Sequence, residues 1–472
     1  MKSDRQKTLH EIGGRSLLSH SLHAAAGVHP EHLVAVVGHQ RDQVAPAVER
    51  IAEQMQVEIR QAVQEEQNGT GHAVQVGLSA IPDFAGTVVV TNGDVPLLTP
   101  DTLQALVDKH EAERAAVTVL SLEFDNPTGY GRIVRDAEGL VERIMEHKDA
   151  LAHAESTGDD SFVAIREVNS GIYAFDAALL RRTLPLLSTE NVQGEKYLTD
   201  VLGIARNDGL RVTALTAPDA RELAGVNDRV QLAEAGKELN RRLVEKAMRA
   251  GATVIDPATT WIGVEVEIGR DVVIHPNTQL WGSTVIGDGA EIGPDTTLTD
   301  MEVGARATVV RTQGELGVIG EDATVGPFTY IRPGTELGAG GKLGGFVEAK
   351  NATIGEGSKV PHLTYIGDAT VGKHSNIGAS SVFANYDGIN KHHTTIGDYC
   401  RTGSDTMFVA PVTIGDGAYT GAGTVVTENV PPGALAIKEG RQRNIEGWVE
   451  NRRPGTDAAE AAKAAKNAKR EG

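Results

Sequence analysis

The stretch VIGDGAEIGPDTTL (285–298) repeats a short unit: an aliphatic residue, a glycine, and a small residue three positions after the glycine. The aliphatic residue recurs every six residues from Ile262 to Leu298. Such a period fits neither a helix nor a single strand. It fits a coil with three flat sides, in which the aliphatic residue points inward and glycine takes the tight corner. We therefore predict a parallel β-helix.

The same repeat continues towards the C-terminus with slips of phase. It slips at Val303 and resumes in three series, 319–337, 354–377 and 396–426. Seven consecutive in-phase positions are hard to obtain by chance, so we assign the whole of 251–437 to the β-helix.

The pattern differs before the repeat. LVAVV (33–37) and TVVVT (87–91) are short β-branched runs, and Gln40–Gln56 between them has a helical pattern. Alternating strands and helices predict an α/β domain with a mostly parallel, Rossmann-like sheet over residues 1–227. One amphipathic helix over 228–250, with Val230, Leu239, Leu243 and Val244 on its apolar side, is predicted to link the domains. Residues 438–472 form a C-terminal segment, solvated from about Arg452.

Composition excludes several classes of protein. The 472-residue chain carries a formal net charge of -19, which argues against a nucleic-acid or anionic-membrane surface. It contains one cysteine, Cys400, as fits a reducing cytoplasm, and no long apolar run. The composition therefore favours a cytoplasmic protein that acts on small molecules.

Two groups of residues suggest chemistry. Asp94 directly follows the predicted strand 87–91, where parallel sheets bind ligands, and its carboxylate suits Mg²⁺, although it could equally cap a helix. Arg332 and Lys350 are one coil apart, so they should stack on one face as a phosphate clamp. His362 falls on another face of the next coil, and would meet these cations only in a cleft between chains.

Several motifs carry a resemblance. They are YIRPG (330–334), VEAKN (347–351), VPHLTY (360–365), NIGA (376–379), NYDG (385–388) and GSDTMFVAP (403–411). From Lys7 to Trp448 the chain resembles the bacterial bifunctional N-acetylglucosamine-1-phosphate uridyltransferase/glucosamine-1-phosphate acetyltransferases. The resemblance implies a nucleotidyltransferase domain followed by a left-handed β-helix, a homotrimer, and acetyl-transfer sites between subunits.

The resemblance also implies roles in acetyl transfer. His362 would be the general base that takes the proton of the glucosamine amine as it attacks acetyl-coenzyme A. Arg332 and Lys350 would hold the sugar phosphate, and Tyr365 and Asn376 the sugar. The residues implied to line the acetyl-coenzyme A channel are Ala379, Asn385, Tyr386, Ser404 and Ala422. The family often has an Arg where this chain has Glu439, and Lys438 or Arg441 would take that contact.

In the first domain the resemblance implies a site for UTP and UDP-N-acetylglucosamine. Asp94 and Asn227 would hold Mg²⁺ while a sugar-phosphate oxygen attacks the α-phosphorus of UTP and pyrophosphate leaves. The residues implied to bind nucleotide and sugar are Lys7, Gln64, Gly69, Thr70, Asn92, Gly131, Glu146, Asn169 and Asn227.

The N-terminus departs from the family pattern. The family's Gly-rich loop, Leu-Ala-Ala-Gly-x-Gly-Thr-Arg-Met, would end where Met1–Asp4 lies. Either the start is assigned at an internal methionine or the protein is shortened, and the persistence of the other uridyltransfer residues favours the first reading. We expect the sequence as given to transfer uridylyl groups poorly.

Three functions stay open from the sequence. The first is the bifunctional enzyme, which makes UDP-N-acetylglucosamine from glucosamine 1-phosphate, acetyl-CoA and UTP for cell-wall synthesis. The second is an acetyltransferase with an inactive nucleotidyl domain. The third, a non-enzymatic β-helix binding module, is disfavoured by the cluster of His, Arg, Lys, Tyr and Asn.

Overall fold

The computed structural model describes residues 1–189, 194–438, 440 and 442–468. The chain falls into two compact units, Met1–Ala305 and Arg306–Gly472. None of the helices in the described ranges is both long enough and apolar enough to cross a membrane.

The first unit begins with the predicted alternation of strands and helices. Its strands are β1 Glu11–Ile12, β2 Arg15–Ser16, β3 Leu33–Val37, β4 Ile59–Val63, β5 Thr87–Val90, β6 Val117–Glu123, β7 Arg132–Arg135, β8 Val141–Met145, β9 Glu167–Asp176 and β10 Val212–Thr216. Its helices are α1 Leu17–Ala26, α2 Arg41–Met55, α3 Thr70–Ser79, α4 Pro100–Ala112, α5 His147–Thr157, α6 Ala177–Thr183, α7 Asp200–Asn207 and α8 Arg229–Arg249. Short 3-10 helices cover Lys7–Leu9, Leu184–Leu186 and Ala220–Leu223.

These strands form two main sheets. β3 and β4 pair in parallel, and β6 pairs in parallel with β10. The long strand β9 runs antiparallel to β5, β6 and β7, and β8 completes this sheet beside β7. An antiparallel strand among parallel ones is common in α/β proteins. The core lies on both sides of β6 and β9, where Val117, Leu120, Ile172 and Phe175 are fully buried.

The predicted connector helix is present as α8. Asp228 caps its first turn by accepting hydrogen bonds from the backbone N–H groups of Val230 and Gln231. Val244 is 1% exposed, as predicted, but Val230 is 67% exposed, so its assignment to the apolar side was wrong. Val230 lies in the first turn, where the side chain reaches solvent before the apolar stripe of the helix meets its neighbours.

The first coils of the predicted β-helix follow α8. Their strands are β11 Thr253–Val254, β12 Trp261–Ile262, β13 Glu267–Ile268, β14 Val273–Ile274, β15 Gln279–Trp281, β16 Val285–Ile286, β17 Glu291–Ile292, β18 Thr297–Thr299 and β19 Glu302–Val303. Ile262 stacks on Leu280 and Leu280 on Leu298, in parallel register. Both leucines and the small residues Ala290 and Thr296 are fully buried. The interpretation of inward aliphatic and gap-filling small residues is therefore confirmed.

The second unit has the same construction. Its strands are β20 Thr308–Val309, β21 Thr312–Glu315, β22 Gly317–Ile319, β23 Thr324–Val325, β24 Thr329–Ile331, β25 Thr335–Leu337, β26 Lys342–Gly345, β27 Glu348–Ile354, β28 Lys359–His362, β29 Tyr365–Val371, β30 Val382–Ala384, β31 Thr394–Ile396, β32 Met407–Val409, β33 Val412–Ile414, β34 Tyr419–Thr420, β35 Val425–Val426 and β36 Leu435–Ala436. Two helices, α9 Trp448–Arg452 and α10 Asp457–Ala468, follow. Aliphatic and aromatic side chains fill the coil interior, so functional side chains can only lie on its outer faces.

Candidate active sites

In the first unit, three predicted ligand-binding residues meet at one point. Lys7 Nζ lies 2.6 Å from Asp94 Oδ2 and 3.0 Å from Asn227 Oδ1. Asp94 follows β5, and its carbonyl accepts the backbone N–H of Val226, which brings the segment before α8 to the end of that strand. The carboxylate and the amide oxygen thus converge on one cation, as a pair of oxygen ligands for a hard metal ion would.

A cleft of about 1460 Å³ lies along β3 and β5. Five of the predicted nucleotide- and sugar-binding residues line it: Gln64, Thr70, Asn92, Glu146 and Asn169. Asn92 stands two residues before Asp94, so the end of β5 connects the cleft with the cluster around Lys7. A ligand pocket at the carboxyl end of strands is the arrangement expected of an α/β fold.

The loop that precedes α3 packs closely against the backbone around Lys196. Gly69 has a φ of +97°, and a Cβ there would lie 2.6 Å from the carbonyl oxygen of Lys196. Thr70 Oγ1 accepts the backbone N–H of Leu198, and Gln64 Nε2 donates to the carbonyl of Gly69. The loop QEEQNG (64–69), which contains the predicted nucleotide-binding residues Gln64 and Gly69, is therefore held in place at the start of α3, beside the cleft.

The predicted sugar-binding residues are held by hydrogen bonds around β9. Asn169 donates its backbone N–H to the carbonyl of Gly131 and its Nδ2–H to Tyr173 Oη, 2.7 Å away. Burial raises the pKa of Glu146, with smaller contributions from Asp149 and Asp200. It also raises the pKa of Tyr173, so the Tyr173 hydroxyl keeps its proton at neutral pH. These groups can orient a neutral, hydroxyl-rich ligand.

In the second unit, the predicted cation clamp is present. Ile331 pairs with Ala349, so the next residues along, Arg332 and Lys350, are stacked neighbours. The pKa of Lys350 is lowered by the adjacent ammonium of Lys391 and, to a smaller extent, by the guanidinium of Arg332. Arg332 also pairs with Glu348 at 2.8 Å. Three cations on one outer face therefore repel one another, and a bound anion such as a phosphate would relieve that repulsion.

His362 lies on a different outer position. It is exposed, and it pairs with Gly345 in the sheet formed by β26 and β28. Four residues on successive coils pair in parallel register, one with the next: Lys359, Asn376, Arg401 and Tyr419. The residues that lie three positions after each of them are therefore also stacked, in one column along a corner of the coil. The members of this column are His362, Ala379, Ser404 and Ala422. The predicted base and three predicted acetyl-CoA contacts are thus aligned along the coil axis.

The structure separates the acetyl-transfer residues into two groups. Tyr365, Arg332 and Lys350 belong to the face of β24, β27 and β29, whereas His362 and Asn376 belong to the face that contains β28. Tyr386 is exposed in the loop after β30, whereas Asn385 is only 9% exposed. The side-chain amide of Asn385 is held by hydrogen bonds to Asp368 and Tyr365.

Sequence reasoning missed three polar residues at these sites. Lys391 comes from an irregular loop, so coil spacing could not place it next to Lys350; the only signal is the basic run KHH after NYDG. Glu348 precedes Lys350 by two residues on the same outward face and could have been found from that alternation. Asp368 is identified only by its contacts. Glu439, which stands where the family often has an Arg, and Arg441, one of its two predicted substitutes, lie outside the described residues, whereas Lys438, the other substitute, is described and exposed.

Comparisons with known proteins match the two parts of the chain to two kinds of transferase. A family model described as nucleotidyl transferase matches residues 2–252, and one described as bacterial transferase hexapeptide (six repeats) matches 265–300 and 393–428. "Bifunctional protein GlmU" of Corynebacterium glutamicum is 69% identical over 467 residues, which cover 99% of this chain and 95% of that protein.

More distant relatives carry the same name. The protein of Corynebacterium diphtheriae is 65% identical over 98% of this chain and 94% of its own length. That of Micrococcus luteus is 61% identical, with 98% and 94% coverage. Identity of this order over nearly the whole of each sequence, together with both family models, shows that the chain belongs to the family of bifunctional GlmU proteins.

Proposed function

We propose that the two residue clusters are the two active sites of one bifunctional enzyme. The chain acetylates glucosamine 1-phosphate with acetyl-CoA and uridylylates N-acetylglucosamine 1-phosphate with UTP, which gives the UDP-N-acetylglucosamine used in cell-wall synthesis. Relatives matched over nearly their whole length carry a bifunctional name, and the nucleotidyl transferase model matches residues 2–252, which supports an active first domain. The cytoplasm is the proposed location, in keeping with a single cysteine and with these co-substrates.

For acetyl transfer, the supporting observation is the column formed by His362, Ala379, Ser404 and Ala422. An acetyl-CoA molecule lying along this column brings its thioester to the imidazole. The amine of glucosamine attacks the thioester carbon, His362 takes the amine proton, and coenzyme A leaves as a thiolate that is then protonated. Arg332, Lys350 and Lys391 hold the phosphate of the sugar, with Tyr365 and Asn376 on the sugar itself.

For uridylyl transfer, the residues fit a divalent ion. Asp94 and Asn227 present two oxygen atoms to a single cation, Lys7 Nζ, and Mg²⁺ commonly takes few protein ligands and completes its shell with water and phosphate. Bound there, Mg²⁺ would neutralise charge on the triphosphate. Lys7 would then be free to pair with the phosphates. Gln64, Gly69, Thr70 and Asn92 would hold the nucleoside, and Gly131, Glu146 and Asn169 the sugar.

We further propose a homotrimer, supported by an exposed apolar column beside His362. Phe328, Phe346 and Leu363 are 53%, 62% and 58% exposed, on successive coils. The two phenylalanine rings stack with centroids 5.2 Å apart. All three residues have positive φ, an unfavourable conformation for bulky side chains. A second copy that covers this column would also enclose the adjoining His362 and bring another face against it.

The test is to assay each half-reaction on the purified chain. Acetylated sugar phosphate from glucosamine 1-phosphate and acetyl-CoA, and UDP-N-acetylglucosamine from UTP and N-acetylglucosamine 1-phosphate, should both form. The rate of the second reaction also tests the expectation that the sequence as given transfers uridylyl groups poorly. Chelation by EDTA should stop the second reaction and leave the first. Failure of the first reaction, or a second reaction that is indifferent to EDTA, would contradict the corresponding assignment.

A further inference from the structure

Three polar residues form a ladder at the corner next to the cation face. Lys350 pairs with Gly367 and Tyr365 with Val382, which stacks the corner residues Asn351, Asp368 and Asn385 on successive coils. Asp368 Oδ1 accepts from Asn351 Nδ2 at 2.7 Å, and Asp368 Oδ2 accepts from Asn385 Nδ2 at 2.5 Å. Asp368 is thus the central member of the ladder.

These contacts fix the orientation of the Asn385 amide. An ionised carboxylate only accepts hydrogen bonds, so the NH₂ group of Asn385 must be the end that faces Asp368. The same NH₂ group also donates to Tyr365 Oη, 3.3 Å away. Both protons are therefore used, and within the described part of the chain Asn385 Oδ1 keeps its acceptor capacity. Tyr365, which accepts this bond, keeps its own O–H proton for donation.

The neighbouring backbone leaves room for this arrangement. Gly367 lies between Asp368 and the Tyr365 side chain, and a Cβ there would be 2.3 Å from Tyr365 Oη and 3.0 Å from Asn385 Nδ2. Only a residue without a side chain lets the Tyr365 hydroxyl fold back against the ladder. The phosphate clamp is adjacent, because Lys350 is the partner of Gly367 on the preceding coil.

We propose that Asp368 is a positioning residue that turns the Asn385 amide oxygen towards the amine to be acetylated. The site would thereby be selective for an amino sugar over a sugar with a hydroxyl at the same carbon. This inference rests on the proposed acetyl transfer. In glucosamine 1-phosphate the amine is on the carbon next to the one that carries the phosphate. A sugar phosphate held by Arg332, Lys350 and Lys391 therefore has its amine next to these cations. There Asn385 Oδ1 accepts a hydrogen bond from an amine N–H, which leaves the lone pair of the nitrogen free to attack the thioester.

The test compares two ligands that differ at one group. Glucose 1-phosphate has a hydroxyl where glucosamine 1-phosphate has the amine, so its inhibition constant reports phosphate and sugar binding alone. The variant is Asp368→Gly, because Asp368 has a φ of +49° that glycine adopts without strain. The matched control is Asn351→Gly, at φ +44° in the same ladder, which removes a partner of Asp368 but leaves Asn385 in place.

For Asp368→Gly we expect the KM for glucosamine 1-phosphate to rise and kcat to fall, each about tenfold, as for the loss of one oriented hydrogen bond. Glucose 1-phosphate should bind as before or more tightly, since a negative charge beside three cations has gone. Every constant of the Asn351→Gly control should stay within about twofold. The KM for acetyl-CoA is not used as a control in Asp368→Gly, because Asn385 is also expected to line the acetyl-CoA channel.

Three results would overturn the proposal. Equal weakening of both sugar phosphates would show a general structural or charge role, and an unchanged preference for the amino sugar would show that Asp368 does not set it. Equal losses in Asn351→Gly would assign the effect to the ladder as a whole. If the unsubstituted chain fails to acetylate glucosamine 1-phosphate while binding both ligands, the proposed acetyl transfer fails first, and this inference with it.

Discussion

The two candidate sites differ in how a single chain completes them. In the first unit, five of the predicted ligand-binding residues line a cleft of about 1460 Å³, and three others are bonded to one another, as Lys7 is to Asp94 and Asn227. In the second unit the interior of the coil is filled by side chains such as Ile331, Ile366 and Phe383, and the predicted site residues lie on separate outer faces. A sheet edge provides a concave site within one chain, whereas a filled coil needs another surface to close its site.

The largest effect should come from His362→Ala. Loss of a general base should lower the rate of acetyl transfer by roughly 10²–10⁴-fold, while uridylyl transfer by the same preparation should not change. His393→Ala is the matched control, because His393 contacts Thr370 on another face and should leave both rates within about twofold. Wild-type acetyl transfer by His362→Ala at neutral pH would exclude His362 as the base.

Asp94→Asn should have the opposite effect to His362→Ala: it should lower uridylyl transfer and leave acetyl transfer unchanged. This variant keeps the shape of the side chain but removes the charge that draws a metal ion to the end of β5, so uridylyl transfer should fall about 10²-fold. Raising the Mg²⁺ concentration should recover part of the loss, because the ligand oxygen remains. Acetyl transfer should be unaffected, and a parallel loss of both activities would contradict two independent sites.

A smaller and concentration-dependent effect should come from Phe346→Asp. A charge in the exposed apolar column should weaken association between copies and lower acetyl transfer at least about tenfold at low protein concentration. Uridylyl transfer should persist, because its cleft lies within one chain. Light scattering and the two assays should be measured on the same dilutions. An active monomer would show that the second site closes without another copy.

Acidification should destabilise the first unit before it affects the second. His20 donates through Nε2 to the carbonyl of Ile12, and burial lowers its pKa from 6.5 to about 4. Between pH 6.5 and about 4, His20 is protonated in the unfolded chain but stays neutral in the folded chain. Protonation therefore favours the unfolded state, and the free energy of unfolding should fall as the pH drops through this range. Burial also lowers the pKa values of His23 and His110.

The measurement is calorimetry at several pH values on His20→Gln, which keeps an N–H donor and does not titrate. Its first unit should lose fewer degrees of Tm between pH 6.5 and pH 4.5 than the unsubstituted chain. Identical pH dependence in the two proteins would show that His20 is not the group responsible.

The features that could be predicted from the sequence are those that the periodicity of the sequence determines. Inward positions such as Ile286 and Ile354, the helix 40–56, and the stacking of Arg332 on Lys350 all follow from local patterns that the fold preserves. Positions that depend on tertiary contacts could not be found in this way. Asn385 is buried because Asp368 and Tyr365 hold it, Lys391 reaches the clamp from an irregular loop, and Val230 is exposed at the first turn of its helix.

The most direct test of the account is complementation between two inactive variants. His362→Ala and Lys350→Ala each lack one group, and these groups lie on different faces of the coil. If each site takes its base from one copy and its phosphate clamp from the next, mixed trimers formed by co-expression at equal levels should recover about a quarter of the wild-type acetyl transfer. Uridylyl transfer should be at the wild-type rate in both variants and in the mixture. Acetyl transfer by the mixture no greater than that of the separate variants would show that both groups act from one chain, and would contradict the account.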